Sequence, residues 1–80
     1  MFTINIHYFA LLREKSGVEQ ESFTTSATNL VELYHEVSGK YNFGLPHSMI
    51  QVAVNDEFSP FEATLENNMK VVFIPPVAGG

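Results

Sequence analysis

The sequence predicts an α+β domain, in which a mixed sheet of four to five strands wraps around one main helix and carries one short helix. Three segments support this prediction: an alternating strand at the amino terminus, an amphipathic helix near the middle, and an apolar strand close to the carboxyl terminus. Strands and helices of this kind are stable when their apolar faces pack on a common core. A chain of 80 residues allows one such domain.

The first strand is predicted from the alternation of apolar and polar residues, which is typical of a strand with one buried face. Its apolar members are Phe2, Ile4, Ile6 and Tyr8. Residues 9–15 lack alternation and are rich in helix formers, and Gly17 can supply the left-handed cap that ends a helix. We therefore expect a short helix, followed by an extended segment over 18–24 that pairs with the first strand as a hairpin.

The main helix is predicted from apolar residues that recur at helical spacing and share one face. These residues are Leu30, Leu33, Tyr34, Val37 and Tyr41. Thr28 or Asn29 can serve as the N-cap, and Glu32 is expected to complete a capping box with Asn29. Residues 42–48, which include Gly44 and Pro46, are expected to form a loop.

Two strands are expected in the last third of the chain. Residues 49–54 predict a strand that ends at the turn-forming pair Asn55-Asp56. Residues 58–65 are expected to be irregular, since Pro60 interrupts any long strand there. Residues 71–74 are apolar on both faces, which suits an inner strand that is covered on both sides.

The chain ends on a segment unlike an ordinary terminus: Pro75, Pro76, Val77, Ala78, Gly79 and Gly80. We therefore divide the chain into a folded body over 1–74 and an extended tail over 75–80. Each proline fixes φ near −65°, so the chain leaves the sheet in one direction, and Pro75 cannot extend the ladder. The tail reaches about 20 Å when extended, and the final glycines, which have no Cβ, fit a narrow channel.

The reactive group of such a tail is its terminal carboxylate. It is a poor electrophile by itself, but coupling to ATP as an acyl adenylate activates it for transfer to sulfur or to an amine. Neither reaction needs a catalytic side chain from this chain. The tail therefore indicates a carrier, and the alternative is a terminus that is merely disordered.

Composition excludes several other classes of function. The net charge of −5, with four Lys and Arg in total, argues against nucleic acid and anionic membrane as partners. No apolar run approaches the roughly 20 residues of a membrane-spanning helix. The absence of cysteine excludes disulfides and thiol nucleophiles, and it fits a cytoplasmic location. His7, His35 and His47 lack metal-ligand spacing, so no metal site is expected.

Two segments of the chain resemble the family of small subunits of molybdopterin synthase (MoaD-type). The stretch Tyr8–Gly17 is similar to that family's F-A-x-x-R-E-x-x-G segment, and residues 71–80 are similar to its carboxyl-terminal segment. The sequence departs from the family after Leu65, where Glu66-Asn67-Asn68-Met69 replaces an Asp-Gly-Asp turn. We expect this turn to survive, because Asn68 tolerates the left-handed conformation.

The resemblance implies a ubiquitin-like β-grasp fold and the role of a sulfur carrier. In that family a ubiquitin-activating-like adenylyltransferase uses ATP to adenylate the terminal glycine, which becomes a thiocarboxylate. The tail then inserts into a large catalytic subunit within a heterotetramer, and its sulfur passes to cyclic pyranopterin monophosphate. By position, Gly80 would bear the sulfur, and Gly79 would be the adjacent residue without a side chain. The resemblance implies no bound cofactor and no catalytic side chain.

The alternatives that remain are a sulfur carrier for another pathway, such as thiamine thiazole synthesis, and a ubiquitin-like modifier joined to lysines through Gly80.

Three residues are candidate partner contacts. Arg13 can pair with a partner's carboxylate, or it can form a surface salt bridge with a nearby Glu. Of Phe58 and Phe61, one is expected in the core and one in an interface, and the sequence does not assign them.

Overall fold

A computed structural model describes residues 1–76 of the protein, and they have the predicted α+β architecture. Its elements in chain order are β1 (Phe2–Tyr8), α1 (Ala10–Ser16), β2 (Gln20–Thr25), α2 (Leu30–Tyr41), a 3-10 turn (His47–Met49), β3 (Gln51–Val54), β4 (Glu57–Ser59) and β5 (Lys70–Ile74). The tail residues Val77, Ala78, Gly79 and Gly80 lie outside the described residues. The expectations about them are therefore still predictions.

The five strands form one mixed sheet in the order β2-β1-β5-β3-β4. The two strands that are farthest apart in the chain, β1 and β5, pair in parallel, with Ile6 opposite Val71 and Tyr8 opposite Phe73. All other neighbouring strands are antiparallel. The last strand is therefore the central one, as its apolar sequence predicts.

Helix α2 packs across one face of this sheet, which we call the inner face. Its buried residues are the predicted ones: Leu30, Leu33, Tyr34 and Val37. Asn29 is the N-cap, with Oδ1 accepting a hydrogen bond from Glu32 N at 2.9 Å. The predicted reciprocal bond is different, because the Glu32 carboxylate accepts from the backbone N–H of Thr28 at 2.8 Å and not from that of Asn29.

The segment that follows β4 lies along the start of α2. Leu30 N donates to the carbonyl of Ala63 at 3.1 Å, and Val31 N donates to the carbonyl of Phe61 at 3.0 Å. These bonds satisfy two of the backbone N–H groups that a helix start leaves without intrahelical partners. They also bring Phe61 to the edge of the core.

Two short elements were not predicted. Residues 58–65 were expected to be irregular, but Glu57–Ser59 forms strand β4. The reason is the turn before it, since Asn55 and Asp56 both have positive φ, at 50° and 74°, as a two-residue hairpin turn requires. A 3-10 turn also occupies part of the expected loop.

The expected turn after Leu65 is present. Asn68 has a φ of 64°, in the left-handed region, and its N–H donates to the carbonyl of Thr3 at 2.7 Å. Asn67 Oδ1 in turn accepts from Thr3 N at 3.0 Å. The turn is thereby attached to β1, immediately before β5 begins.

Candidate functional site

The root of the tail is the end of the central strand. Ile74 pairs with Gln51 of β3, so the last residue of β5 is held within the sheet. Pro75 is buried and Pro76 is exposed. The tail therefore begins at a fixed point of the body, and its direction is set by two residues with restricted φ.

The outer face of the sheet, opposite α2, carries a row of paired residues that crosses four strands. His7 lies opposite Val72, Val72 opposite Ala53, and Ala53 opposite Phe58. Cross-strand partners point to the same side of a sheet. Val72 is 8% exposed and Phe58 is 74% exposed. The exposed ring of Phe58 therefore lies next to the apolar residues Ala53 and Val72 of the same row.

A second aromatic residue lies at the end of this face nearest the tail. Phe9 follows β1 with extended backbone (φ −117°, ψ 147°), so the alternation of β1 continues and places Phe9 on the outer face. The parallel register of β1 and β5 puts it at the level of Ile74. Phe9 is 53% exposed.

We call this area the outer apolar surface, and define it by Phe9, Ala53, Phe58, Val72 and Ile74. The sequence predicted that the last strand is covered on both sides, and its three central residues, 71–73, are all buried. Helix α2 covers the inner side, while within the described chain no helix or strand covers the outer side. Exposed apolar area of this kind is typical of a surface that meets another protein.

A groove borders the outer apolar surface where the tail begins. Its volume is about 320 Å³, and its lining joins the 3-10 turn and the start of β3 to the end of β5. The lining residues are Ser48, Met49, Ile50, Gln51, Ile74, Pro75 and Pro76. Met49 is 49% exposed and adds apolar area to the lining of this groove.

The structure assigns different environments to the two phenylalanines near Pro60. Phe61 is half-buried and packs against Tyr34 and Phe73, with ring centroids 6.1 Å and 6.4 Å away. Phe58 lies on the outer apolar surface instead. Contact between Phe58 and a partner is still a prediction, while Phe61 contributes to the core.

Arg13 is exposed on α1, five residues after the end of β1. Its guanidinium forms no ion pair with any carboxylate of residues 1–76. The predicted salt bridge with a nearby Glu is therefore not observed among them. The other expectation, pairing with a partner's carboxylate, is still a prediction.

A polar cluster missed by sequence reasoning lies at the opposite edge of the sheet. Glu21 Oε2 accepts hydrogen bonds from the hydroxyls of Tyr8 at 2.5 Å and Tyr41 at 2.7 Å, and Lys40 Nζ lies 3.7 Å from Oε1. Burial alone would raise the pKa of the Glu21 carboxyl, but these hydrogen bonds and the Lys40 charge lower it overall. Burial, together with the bond to Glu21, raises the pKa of Tyr8. The cluster ties β1, β2 and α2 together.

Residues 1–76 bring together no group of three or more His, Cys, Asp or Glu side chains suited to hold a metal ion. None of their helices has the length and apolar character needed to cross a membrane.

Comparison with known proteins relates the chain to a set of small carrier proteins. The sequence pattern of the ThiS family matches residues 6–80. The molybdopterin synthase sulfur carrier subunit of Haemophilus influenzae is 31% identical, over 96% of this chain and 99% of its own. The protein of the same name from Mycobacterium tuberculosis is also 31% identical, over the full length of both chains.

A solved structure supports the fold independently of sequence. The small archaeal modifier protein 1 of Haloferax volcanii superposes with a TM-score of 0.80, over 96% of this chain and 100% of that one, at 16% identity. The mixed five-stranded sheet that wraps around α2 is thus a ubiquitin-like β-grasp fold, as the sequence resemblance implied.

Proposed function

Because the chain belongs to the ThiS family, we propose that it is the sulfur-carrier subunit of a molybdopterin synthase, with Gly80 as the residue that bears the sulfur. Two relatives that match nearly the whole chain carry the name of that subunit. The proposed substrate is cyclic pyranopterin monophosphate. The chain supplies the sulfur, and the catalytic side chains belong to a partner.

The chemistry requires two steps at the terminal carboxylate. In the first, a carboxylate oxygen attacks the α-phosphate of ATP, pyrophosphate leaves, and the acyl adenylate forms. In the second, hydrosulfide attacks the acyl carbon, AMP leaves with the carboxylate oxygen, and the thiocarboxylate remains. The thiocarboxylate sulfur then bonds to a pterin carbon and displaces an oxygen leaving group from it. Water cleaves the resulting thioester, which regenerates the carboxylate and leaves the sulfur on the pterin.

The observation that supports the proposal is the position of the tail's root on the outer apolar surface. A partner that covers Phe9 and Phe58 comes to lie directly beside Ile74 and Pro76, so docking and tail insertion occur together. The two prolines restrict the free tail, which lowers the conformational entropy that insertion would otherwise cost, about 1–2 kcal/mol per flexible residue. Docking of the folded body thus orients the reactive carboxyl terminus in the partner.

Two partners follow from the proposed chemistry. The activating adenylyltransferase must hold the terminal carboxylate next to ATP, and the large catalytic subunit must hold the same carboxyl group, as the thiocarboxylate, next to the pterin. One tail cannot occupy both sites at once. The acidic chain, with a net charge of −5, favours basic surroundings on both partners through long-range attraction.

Reconstitution tests the proposal. The chain is incubated with an activating enzyme, ATP and a sulfur donor, and then with the large subunit and the pterin precursor, and dithiolene formation is measured. We expect product with the wild type and none with the Gly80 deletion. Product formation by the deletion variant would contradict the proposal.

Two further experiments separate the alternatives. Restoration of thiazole synthesis, but not of molybdopterin synthesis, in cells lacking each carrier would favour the other sulfur pathway. Covalent adducts with other proteins, seen on denaturing gels and lost when Gly79 and Gly80 are deleted, would favour a modifier.

A further inference from the structure

The fold brings together two histidines that are twelve residues apart in the sequence. His35 lies on the exposed side of α2, and His47 is the first residue of the 3-10 turn. Their ring centroids are 5.5 Å apart, and the ring planes are inclined by 61°. No helical or strand spacing relates these positions, so the pair is produced by the path of the connecting segment.

That path is fixed by contacts on both sides of the pair. Asn42 and Gly44 adopt left-handed conformations, with φ of 56° and 72°, and reverse the chain after α2. The hydroxyl of Tyr34 donates to the carbonyl of Leu45 at 2.7 Å, which holds the returning segment against the helix. The position of His47 therefore depends on the tertiary fold.

The His47 ring is also held by packing against the core. It packs on the half-buried ring of Phe61, with centroids 5.1 Å apart. No side-chain hydrogen bond among the described residues engages either imidazole, and the Tyr34 hydroxyl, next to His35 in the chain, donates to the Leu45 carbonyl. The ring nitrogens of both histidines therefore stay free to act as ligands.

From this geometry we propose that His35 and His47 form an open site for one divalent transition-metal ion, with Zn²⁺, Ni²⁺ and Cu²⁺ as the suitable class. Imidazole nitrogen suits these three metals. Metal–nitrogen bonds of about 2.0–2.1 Å on each side place the centroids of two rings on one ion roughly 5–6 Å apart, and the observed 5.5 Å lies in that range.

The site has two protein ligands. Residues 1–76 bring no third His, Cys, Asp or Glu side chain to it, so water fills the remaining positions of the ion. Such a site exchanges its metal readily, unlike a closed four-ligand structural site. Neither histidine belongs to the outer apolar surface or to the tail, so metal binding can be tested separately from the proposed sulfur chemistry.

A bound ion would connect α2 to the 3-10 turn. Met49, at the end of that turn, lines the groove that contains Pro75 and Pro76. The ion therefore stabilises one wall of the groove from which the tail emerges. Because only the folded chain brings both rings together, binding also stabilises the fold in proportion to metal concentration.

The experiment uses the full-length protein and the metal ions themselves. In NMR spectra, substoichiometric Cu²⁺ is expected to broaden the ring signals of His35 and His47 and to leave those of His7 sharp. Thermal melts with increasing Zn²⁺ or Ni²⁺ are expected to show a rising Tm. His7→Gln is the matched control, because it removes the third histidine, which lies on β1 at the outer face, and should retain both effects.

The variants His35→Gln and His47→Gln are each expected to abolish the rise in Tm. His35 is exposed, so His35→Gln should melt like the wild type without metal, which makes it the primary test. The proposal is overturned if His35→Gln still responds to Zn²⁺ as the wild type does. It is also overturned if the wild type shows no rise, or if Cu²⁺ broadens all three histidines equally.

Discussion

The ring of Phe61 lies parallel to that of Phe73, with centroids 6.4 Å apart and 7° between the planes. Phe73 is fully buried in the central strand, so this stacking places Phe61 in the core. Phe58, three residues earlier, is 74% exposed on the opposite face of the sheet. The two phenylalanines thus offer a matched pair that separates partner binding from stability.

The change Phe58→Ala is expected to weaken docking without unfolding the domain. An exposed side chain contributes little to the fold, so the free energy of unfolding should change by less than about 0.5 kcal/mol. Loss of a large aromatic ring from an interface costs about 1.4–4 kcal/mol, or at least a tenfold increase in Kd for the proposed large subunit. Calorimetric titration measures the affinity. In the control, Phe61→Ala should lower stability by roughly 1–3 kcal/mol and leave Kd unchanged.

The change Phe73→Ala is expected to cost about 3–5 kcal/mol, because it leaves a cavity between Tyr34 and the sheet. A domain of this size has a total stability of only about 4–12 kcal/mol. Urea denaturation measures the loss. Deletion of Gly80 is the control and should leave the urea midpoint unchanged; a lower midpoint in that variant would show that the tail supports the fold.

The change Glu21→Gln is expected to destabilise the protein at neutral pH and to reduce its sensitivity to acid. The pKa of Glu21 is lowered from its usual 4.5 in the folded state, so the carboxylate contributes stability that is fully present above about pH 4.5. That contribution is lost as pH falls through the folded-state pKa. We expect a loss of about 1–2 kcal/mol at pH 7 and a flatter stability profile below pH 4.5.

Glu19→Gln provides the control for this charge change, because Glu19 is exposed and next to the same strand. Its stability and acid profile should match those of the wild type. Equal effects of the two substitutions would mean that net charge, and not the bonds from Tyr8 and Tyr41, determines the acid response.

The change Ala10→Gly is expected to stabilise the protein. Ala10 has a φ of 48°, in the left-handed region that a Cβ disfavours. Glycine relieves this strain, and we expect a gain of about 0.5–1 kcal/mol in thermal or urea denaturation. Ala10→Val should have the opposite effect, since a β-branched residue is more strained at positive φ. A loss of stability in Ala10→Gly would show that the strain is negligible.

The order of the elements could be predicted because each major element has a strong local signal. Alternation over Phe2–Tyr8 predicted β1, the stripe from Leu30 to Tyr41 predicted α2, and the apolar run at 71–74 predicted the central strand. The short strand β4 was missed because it depends on a two-residue turn and on pairing with β3. Pro60, which suggested an irregular segment, only ends that strand.

The surface at the tail's root was only partly predictable. The apolar character of residues 71–74 on both faces was visible in the sequence and predicted a strand covered on both sides, but it did not show which residues surround the outer side. Phe9 is odd-numbered like the outer-facing residues of β1, and this parity was the signal that could have placed it beside Ile74. The environments of Phe58 and Phe61 depend on how the segment after β4 meets α2, and no local pattern encodes that contact.

The Glu21 cluster and the histidine pair could not be found from spacing. In both cases the partners come from different elements, and their distances are set by sheet register and by the return of the chain after α2. Tyr8 and Tyr41 were predicted on buried faces. Tyr8 is buried in the core, and Tyr41 is partly buried and packs against it. The acceptor of their hydroxyl groups, the Glu21 carboxylate, could not be predicted, because the register of the β1–β2 hairpin determines its position.

The most direct test of the carrier role is the intact mass of the chain after incubation with the activating enzyme, ATP and a sulfur donor. We expect a species in which one oxygen of the Gly80 carboxyl group is replaced by sulfur. Fragmentation should locate the sulfur at the last residue, and the species should be consumed when the large subunit and pterin precursor are added. A chain that keeps its unmodified carboxylate under these conditions, or that carries sulfur at another residue, would contradict the carrier role.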